Sequence, residues 1–406
     1  MTTRSPNLAL TFILLAVTLD AIGIGIIFPV MPDLMMEVTQ VSLAEAALWG
    51  GVITASFAVM QFLFGPIVGN LSDRFGRRPI MLVSLAIVCA DYLVMGVTHS
   101  VWVLLIARML AGIASATHST ANAFIADISA PDERAKRFGL IGAGFGIGFV
   151  AGPIIGGLMG TIDPRAPFFV AAALAAANMT FGFFVMPESL SAQNRRPFSL
   201  GRANPLASFA AIRRLPGLKY LLIVSFLYAV TFNVWPAIWA YFGKEVYGWN
   251  ATWIGISLAS FGICMAVVQG VMVGPVIRRL GETRTVTVGF GIETVTYGFL
   301  AFNTSGFLAL VTTPVSAMGG ITGPALQALA SRATPENQQG ELQGILTSIN
   351  ALAMIVAPLV MTWVFGYFSA PGAALYFPGA PFLLSAVVMV AAVLIFVASP
   401  RENVAQ

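Results

Sequence analysis

The sequence predicts an all-α membrane protein with twelve transmembrane helices in two pseudo-symmetric six-helix bundles. Hydrophobic residues make up 58% of the chain and charged residues 9%, whereas soluble domains have about 45–50% and about 25%. Because a membrane helix needs about 20 apolar residues, we interpret each long apolar run as one span. The spans, numbered 1 to 12 in chain order, are 8–32, 46–69, 79–97, 101–127, 137–160, 167–186, 218–242, 252–277, 284–302, 305–330, 341–366 and 377–398.

A dense cluster of charges lies between spans 2 and 3, in the segment GNLSDRFGRR. A weaker copy, GPVIRRLGETR at 274–284, lies between spans 8 and 9 and repeats the spacing of two glycines and an arginine. Repeats of this kind are common in transporters, so the chain is interpreted as two related halves. The residues that carry the pattern of the first segment are Gly69, Asp73, Arg74, Gly76, Arg77 and Arg78.

One long polar connection divides the two predicted halves. It covers residues 187–217 and is rich in proline and arginine. The predicted organisation is therefore an N-terminal bundle at 1–186, a linker at 187–217 and a C-terminal bundle at 218–406. Apolar residues at 206–212 favour a short amphipathic helix on the membrane surface.

The basic residues are distributed asymmetrically across the predicted membrane. All but three of the 21 lysines and arginines lie on one side, and the exceptions are Arg108 within span 4, Arg165 and Lys244. The positive-inside rule places both termini in the cytoplasm. We expect no cleaved signal peptide, because span 1 follows only a few residues and is long enough to cross. The net charge of +4 is not interpreted as nucleic-acid binding.

Four charged residues stand out inside the predicted spans, away from the span ends: Asp20, Asp91, Arg108 and Glu293. A charge at the bilayer centre costs about 3 kcal/mol on insertion scales, so intramembrane charges favour a functional role. We expect these four to couple protons to transport, because burial favours the protonated form of a carboxylic acid. Alternatively, Arg108 pairs with a carboxylate only to hold helices together, or Asp20 is a polar group in a helix weakened by the glycines and prolines that follow it.

Span 4 carries a face of small and polar residues. Arg108, Gly112, Ser115, Ser119 and Asn122 follow one another at steps of four and three. Residues at this spacing share one face of an α-helix. The pattern predicts that this face lines a cavity.

Span 5 contains a glycine stripe. Glycine recurs every fourth residue from Gly144 to Gly160, which lets another backbone pack closely. Within it, the string G-x-x-x-G-P-x-x-G-G is more specific than a packing stripe. Its key residues are Gly148, Gly152, Pro153, Gly156 and Gly157.

Aromatic residues crowd span 7, where Tyr228 and Phe232 sit deep enough to line a pocket for a flat ligand. Pockets favour aromatic side chains with a few polar groups. The candidate substrate-binding residues are Gln61, His118, Asn122, Tyr228, Phe232, Asn233, Met265, Gln269, Gln327 and Asn350.

Together these motifs resemble the major facilitator superfamily, and in particular its tetracycline–proton antiporters. The resemblance covers nearly the whole chain and includes LSDRFGRRP at 71–79, IADI at 125–128, AGPIIGG at 151–157 and PALQA at 324–328. It implies that the hairpin at 69–78 is a cytoplasmic latch and that the span 5 string marks an antiporter. It also implies a proton-coupled exporter in the bacterial inner membrane.

The chain departs from that family where ligand or proton should bind. Met265 stands in the place of a functional histidine, Glu293 in that of an aspartate, and Asn233 in that of a glutamine. His118 occupies a position that is usually glycine; it either packs against Asn122 or acts as a proton-sensitive group. These changes favour altered specificity, with tetracycline as a poor or secondary substrate.

The leading hypothesis is therefore a proton-coupled efflux antiporter for a drug-like small molecule, and the alternative is a proton-coupled importer of a nutrient with the same fold. We do not expect an enzyme, because the sequence shows no metal-ligand cluster, phosphate loop or nucleophile motif. The expected partners are the substrate, protons and the lipid bilayer, without nucleic acid, and the expected state is a monomer. We expect no cofactor or resident metal, although a substrate that carries a divalent metal ion fits the hypothesis.

Overall fold

Helices form along the apolar runs, since a backbone in lipid must satisfy its own hydrogen bonds. The computed structural model describes residues 6–115, 117–129, 133–199, 204 and 218–399, and over this part of the chain every regular element is a helix. Spans 1–3, 5, 6, 9, 11 and 12 are single helices: Pro6–Thr39, Leu43–Phe75, Arg77–Val97, Arg134–Gly160, Ala166–Val185, Glu282–Phe302, Gln339–Ser369 and Ala380–Ala398.

Four spans consist of shorter segments. Span 4 is Val101–Ala114 and Thr117–Ile128; span 7 is Lys219–Phe232 and Val234–Tyr247; span 8 is Ala251–Val267, a π-helical turn Val268–Met272, and Val273–Leu280; span 10 is Gly306–Val311, Thr313–Met318, a 3-10 turn Gly319–Ile321, and Thr322–Arg332. Ten helical stretches of the described residues, with spans 7 and 8 counted whole, are long and apolar enough to cross a membrane. With the segmented spans 4 and 10, the predicted fold of twelve transmembrane helices is confirmed.

The break in span 4 corrects one expectation. The polar face from Arg108 to Asn122 assumed a continuous helix, but the first helix ends at Ala114. Ser115 has ψ of 43°, and its hydroxyl donates to the carbonyl of Gly112 at 2.7 Å. This local hydrogen bond competes with the helical ladder, as serine often does. Arg108 and Asn122 therefore lie on different helical segments.

Span 1, in contrast to span 4, is less interrupted than the sequence predicted. Pro29 and Pro32 were expected to weaken it, yet the helix is continuous from Pro6 to Thr39. It also extends past the predicted end at 32, because the polar residues Asp33 and Glu37 remain helical.

By their contacts the residues form two compact units. The first contains Met1–Gln40, Ser56–Pro205 and Asn250–Ala259, and the second contains Val41–Ala55, Leu206–Trp249 and Ser260–Gln406. The start of span 2 thus groups with the C-terminal spans, and the start of span 8 groups with the N-terminal spans.

Glycines permit both of these groupings. In the first unit, a Cβ on Gly157 would lie 2.6 Å from the carbonyl oxygen of Ala251. In the second unit, a Cβ on Gly51 would lie 2.9 Å from the carbonyl oxygen of Pro358. Contacts this short are open only to a residue without a side chain, so these positions require glycine.

The predicted linker contributes little regular structure where it is described. Its only helical element within 187–199 is the 3-10 turn Ala192–Asn194. The surface helix predicted at 206–212 lies outside the described residues.

Candidate functional site

A buried ion pair joins spans 3 and 4. The Nε of Arg108 donates to Oδ1 of Asp91 at 3.1 Å, and the guanidinium also contacts Oδ2 of the same carboxylate. The side chains of Asp91 and Arg108 are only 2% and 11% exposed. The guanidinium also lies over the rings of Phe57 at 5.3 Å and Tyr92 at 5.9 Å. The structure therefore brings together two of the four predicted proton-coupling residues, and each neutralises the other.

Asp20 lies beside this pair. It interacts electrostatically with the hydroxyl of Tyr92, whose ring packs against span 1. A Cβ on Gly23, one turn beyond Asp20, would lie 2.6 Å from the Tyr92 hydroxyl oxygen. Gly23 thus admits the tyrosine, and a larger residue would displace it. Asp20, Tyr92, Arg108 and Asp91 form one cluster in the N-terminal half.

Glu293, on span 9, is a buried acid of the C-terminal half, and it has no cationic partner among the described residues. It is 4% exposed, and its Oε2 has no hydrogen-bond partner in the part of the chain that the structure describes. Gly319 on span 10 packs directly on its side chain: a Cβ there would lie 2.9 Å from Oε1. An isolated buried carboxyl group is costly when ionised, so this site favours a group that exchanges a proton.

Two tyrosines surround Glu293. Both Tyr228 and Tyr297 interact with it electrostatically. The hydroxyl of Tyr297 donates to the carbonyl of Thr231 at 3.2 Å, and the hydroxyl of Tyr228 lies close to Gly323, where a Cβ would be 3.5 Å from its oxygen. A phenol therefore lies beside each of the two acids, Tyr92 beside Asp20 and two tyrosines beside Glu293.

A cavity of about 370 Å³ opens next to Tyr228 in the C-terminal half. Its polar lining consists of one phenol, two hydroxyls and three amides, and none of its lining residues is charged. Leucine, isoleucine and proline complete the wall. The lining residues are Ser225, Tyr228, Gly323, Pro324, Leu326, Gln327, Gln343, Leu346, Thr347, Ile349 and Asn350. Such a mixed wall suits a neutral ligand with hydrogen-bonding groups on an apolar frame.

Three of the predicted substrate residues, Tyr228, Gln327 and Asn350, line this cavity. Two of them already have protein partners. Gln327 donates to Oε1 of Gln343 at 3.3 Å, and Asn350 donates to the carbonyl of Leu346 at 3.0 Å. A ligand would therefore bind by exchanging these hydrogen bonds for its own.

Four further predicted residues lie in the same half but are not part of the cavity wall. Phe232 packs beside Tyr228, with ring centroids 6.0 Å apart. Asn233 stands at the break in span 7, where its Nδ2 donates to the carbonyl of Ala229 at 2.8 Å. Met265 packs on Gly320. Gln269 is exposed on the π-helical turn of span 8.

The remaining candidates lie in the N-terminal half. Gln61 on span 2 and Asn122 on span 4 are half-buried. His118 belongs to the helix Thr117–Ile128, but its side chain lies outside the described part of the chain. Its two alternative roles therefore stay predictions.

The glycine stripe of span 5 packs on span 1. A Cβ on Gly152 would lie 2.6 Å from the carbonyl oxygen of Ile22, and one on Gly156 would lie 2.9 Å from Cα of Ile26. Pro153 approaches Gly25 in the same way, with its Cδ 2.8 Å from a Cβ built there. The close backbone packing that the spacing predicts is present, and it fixes span 1, which carries Asp20.

The hairpin between spans 2 and 3 is held by Arg77. Its guanidinium contacts Asp73 at 2.7 Å and Asp127, at the end of span 4, at 3.2 Å. It also donates to the hydroxyl of Ser72 at 3.0 Å. The carboxylate of Asp127 further accepts a hydrogen bond from Ser189 at 3.0 Å. The predicted gating residues are thus tied to a second signature segment, IADI.

Glu188 caps the start of span 3. Its carboxylate accepts hydrogen bonds from the backbone N–H groups of Arg77 at 2.8 Å and Arg78 at 3.3 Å. An anion at a helix N-terminus is stabilised by the unpaired amides there. Gly76 has φ of +107°, and a Cβ at this position would overlap the Glu188 carboxylate. The first residues of the predicted linker are therefore anchored on the hairpin.

Sequence reasoning missed several of these residues. Ser225, Gln343 and Thr347 line the cavity, and Glu188 and Asp127 hold the hairpin. A signal existed on span 11, where Gln343, Thr347 and Asn350 follow at steps of four and three and share a helical face. Nothing in the local sequence connects Glu188 with a hairpin more than 100 residues earlier.

This architecture is that of a membrane transporter: twelve spans, isolated acids within them and a cavity with a partly polar wall in the C-terminal half. A family model described as Major Facilitator Superfamily matches residues 13–253 and 220–406. A tetracycline resistance protein of class C from Escherichia coli is 43% identical over 359 residues, which cover 88% of this chain and 90% of that protein. The class B protein from the same organism is 36% identical over 88% of each chain.

A solved structure shares the fold at lower identity. The nucleoside transporter NupG superposes with a TM-score of 0.78 at 13% identity and covers 96% of this chain and 99% of its own. The chain belongs to the major facilitator superfamily and, within it, to the family of the tetracycline resistance proteins. It is accordingly a transporter and not an enzyme.

Proposed function

We propose that this chain is a proton-coupled antiporter that exports a drug-like small molecule by alternating access. The observation that carries the proposal is the similarity to tetracycline resistance proteins along 88% of the chain, with the gating and antiporter motifs intact. The protein acts as a monomer in the bacterial inner membrane with both termini in the cytoplasm, in keeping with the positive-inside rule.

Asp20 and Glu293 are the proposed proton carriers. Each is an intramembrane acid without an ion-pair partner among the described residues, whereas Asp91 is already neutralised by Arg108. A carboxyl group that lacks a fixed counter-charge can gain and lose a proton as its surroundings change. The Asp91–Arg108 pair then serves to hold spans 3 and 4 and to set the field around Asp20.

The substrate occupies the cavity beside Tyr228. Its neutral lining of amides, hydroxyls and apolar side chains fits an amphiphilic compound with several hydrogen-bonding groups. Met265, which replaces a histidine by resemblance to the family, is flexible and polarizable and widens the range of apolar groups that this half tolerates. A substrate that carries a divalent metal ion would need its charge balanced elsewhere, since no carboxylate lines the cavity.

Nutrient import is the weaker candidate. It shares the fold, but the G-x-x-x-G-P-x-x-G-G string on span 5 resembles the antiporter signature, and the tetracycline resistance proteins named above are resistance factors by name. The proposal is tested with a drug-susceptibility panel in a host that lacks its own efflux pumps. The unmodified chain and Glu293→Gln are expressed at matched levels.

Export predicts that the unmodified chain raises the inhibitory concentration of at least one compound and that Glu293→Gln does not. Collapse of the proton gradient should abolish the difference in compound accumulation between the two strains. Import predicts the reverse sign: the chain would sensitise cells to a toxic compound it carries. Resistance that survives loss of the proton gradient would contradict proton coupling.

A further inference from the structure

The neighbourhood of Glu293 contains a tyrosine that also faces the cavity. Tyr228 lines the cavity and interacts electrostatically with Glu293. Its ring lies 6.2 Å from that of Phe290, which precedes Glu293 by one helical turn on span 9. Tyr228 is thus the residue of span 7 that touches both the predicted substrate site and the surroundings of the acid.

Span 10 contacts both of these groups. Gly319 packs on Glu293, while a Cβ on Gly323 would lie 3.5 Å from the Tyr228 hydroxyl oxygen. Gly319 lies in the 3-10 turn of span 10, and Gly323 lies at the start of the α-helix that follows it. One short stretch of span 10 therefore contacts the acid and the phenol hydroxyl, and Gly323 itself belongs to the cavity wall.

Few other groups can determine the charge of Glu293. The segments 313–331 and 380–398, which pack on span 9, carry no acidic or basic residue. Tyr228 and Tyr297 are the titratable groups beside Glu293. Apart from Glu293 itself, the charged residues of spans 9 and 10 lie at the ends of these spans. There Arg332 pairs with Glu282 at 2.9 Å. Arg278 and Arg279 close the last turn of span 8. The immediate polar environment of the acid is made by phenols.

We propose that Tyr228 is the positioning residue that communicates occupancy of the cavity to the proton on Glu293. A phenol has one hydrogen to donate and two lone pairs to accept with. Its oxygen can accept from a ligand while its hydrogen donates to Glu293. In the empty state Glu293 is protonated, and its Oε2 accepts no hydrogen bond from the described residues.

A ligand donor changes this arrangement. When an amide or hydroxyl of the ligand donates to the Tyr228 oxygen, the phenol O–H turns to the carboxylate of Glu293. The proton of Glu293 then leaves to the aqueous phase, and the carboxylate accepts the hydrogen bond from Tyr228. Hydrogen bonds to an ionised group are the stronger ones, so ligand binding and proton release favour each other, as antiport requires. The ligand class is a neutral compound with a hydrogen-bond donor.

The inference rests on the proposed function for its meaning, but it can be tested without transport. The protonated carboxyl group has a carbonyl stretching band in the infrared, and the band of Glu293 is identified by its loss in Glu293→Gln. The full chain in detergent is titrated as the unmodified protein, as Tyr228→Phe and as Tyr220→Phe. Tyr220 is a matched control on the same span, 45% exposed and outside the cavity wall.

Removal of the phenol deprives the carboxylate of its donor, so Tyr228→Phe should move the titration midpoint of this band upward by about one pH unit. Tyr220→Phe should leave it in place. A midpoint in Tyr228→Phe equal to that of the unmodified protein would overturn the inference.

Two small neutral probes test the ligand step. Benzamide, which has an N–H donor, should lower the midpoint of the unmodified protein and leave that of Tyr228→Phe unchanged. N,N-dimethylbenzamide, which has no donor, should have no effect on either. Equal shifts from both probes, or none from benzamide, would overturn the role of a ligand donor.

The outcomes separate the two proposals. If the susceptibility panel shows no export but Tyr228→Phe shifts the titration, the proposed function fails and the link between Tyr228 and Glu293 stands. If export is present and the titration does not shift, the link alone fails.

Discussion

The carboxylate of Glu188 accepts a hydrogen bond from the backbone N–H of Arg77 at 2.8 Å. Four transmembrane spans, 3 to 6, lie between the two residues in the chain. Their contact fixes the beginning of the linker on the hairpin between spans 2 and 3. The same carboxylate accepts from Arg78 and from Leu190, so one side chain satisfies three backbone amides.

Replacement of Glu188 by alanine should release the start of the linker. Hydrogen bonds to charged groups contribute about 1.5–3 kcal/mol each in favourable cases, and the net effect at an exposed helix start is at the lower end. We expect faster proteolytic cleavage within 187–217 and a lower thermal midpoint. Glu336→Ala, at an exposed position on a 3-10 turn, is the control. Unchanged cleavage kinetics in Glu188→Ala would show that the contact does not restrain the linker.

The ion pair of Asp91 and Arg108 should behave as one energetic unit. Removing one partner of a buried pair costs about 3–5 kcal/mol because it leaves an uncompensated charge. Asp91→Asn and Arg108→Gln should each lower thermal stability strongly, whereas the double variant should recover most of the loss. Arg284→Gln, at an exposed position, controls for loss of a positive charge. If the two losses simply add in the double variant, the pair is not coupled.

Gly319 and Gly323 offer a pair of substitutions on span 10, one in its 3-10 turn and one at the start of the following α-helix. At 319 the methyl group of an alanine would overlap the side chain of Glu293, and at 323 it would make an ordinary contact with Tyr228. Gly319→Ala should therefore lose substrate-induced proton release, and Gly323→Ala should retain it. A pH-indicator dye in a weakly buffered solution of the purified protein measures the release; equal behaviour of the two variants would refute the role of Gly319.

Tetracycline resistance tests the residue changes around the C-terminal site. Met265 cannot donate a strong hydrogen bond, and loss of one hydrogen bond to a polar ligand costs about 1–3 kcal/mol, or roughly 5–150-fold in affinity. We expect weak resistance from the unmodified chain and stronger resistance from Met265→His at matched expression in a strain without its own pumps. Strong resistance from the unmodified chain, without improvement by the histidine, would show that the pocket compensates for Met265.

The fold could be predicted from the sequence because hydrophobic length alone determines where a chain can cross a bilayer. The same signal is insensitive to interruptions: a run such as 218–242 has the same composition whether or not the helix breaks at Asn233. The extension of span 1 to Thr39 was missed for a related reason, since Asp33 and Glu37 end the apolar run without ending the helix.

The candidate site was predictable in part. Isolated acids and aromatics stand out against an apolar background, and this identified Asp20, Glu293 and Tyr228. That Arg108 pairs with a carboxylate was one of two alternatives. The partner Asp91 was not predicted, because the sequence does not say which carboxylate an arginine meets. Thr347 and Ser225 were missed because a hydroxyl in a span usually bonds its own backbone, as Thr347 does with the carbonyl of Gln343 at 2.8 Å.

The central claim is that Asp20 and Glu293 exchange protons for substrate, and substrate-induced proton release tests it most directly. Purified protein is mixed, in weakly buffered solution, with the compound to which it gives resistance, and the released protons are counted with an indicator dye. We predict release from the unmodified chain, a reduced release from Asp20→Asn and from Glu293→Gln, and none from the double variant. Release that persists undiminished in Asp20→Asn combined with Glu293→Gln would contradict the account.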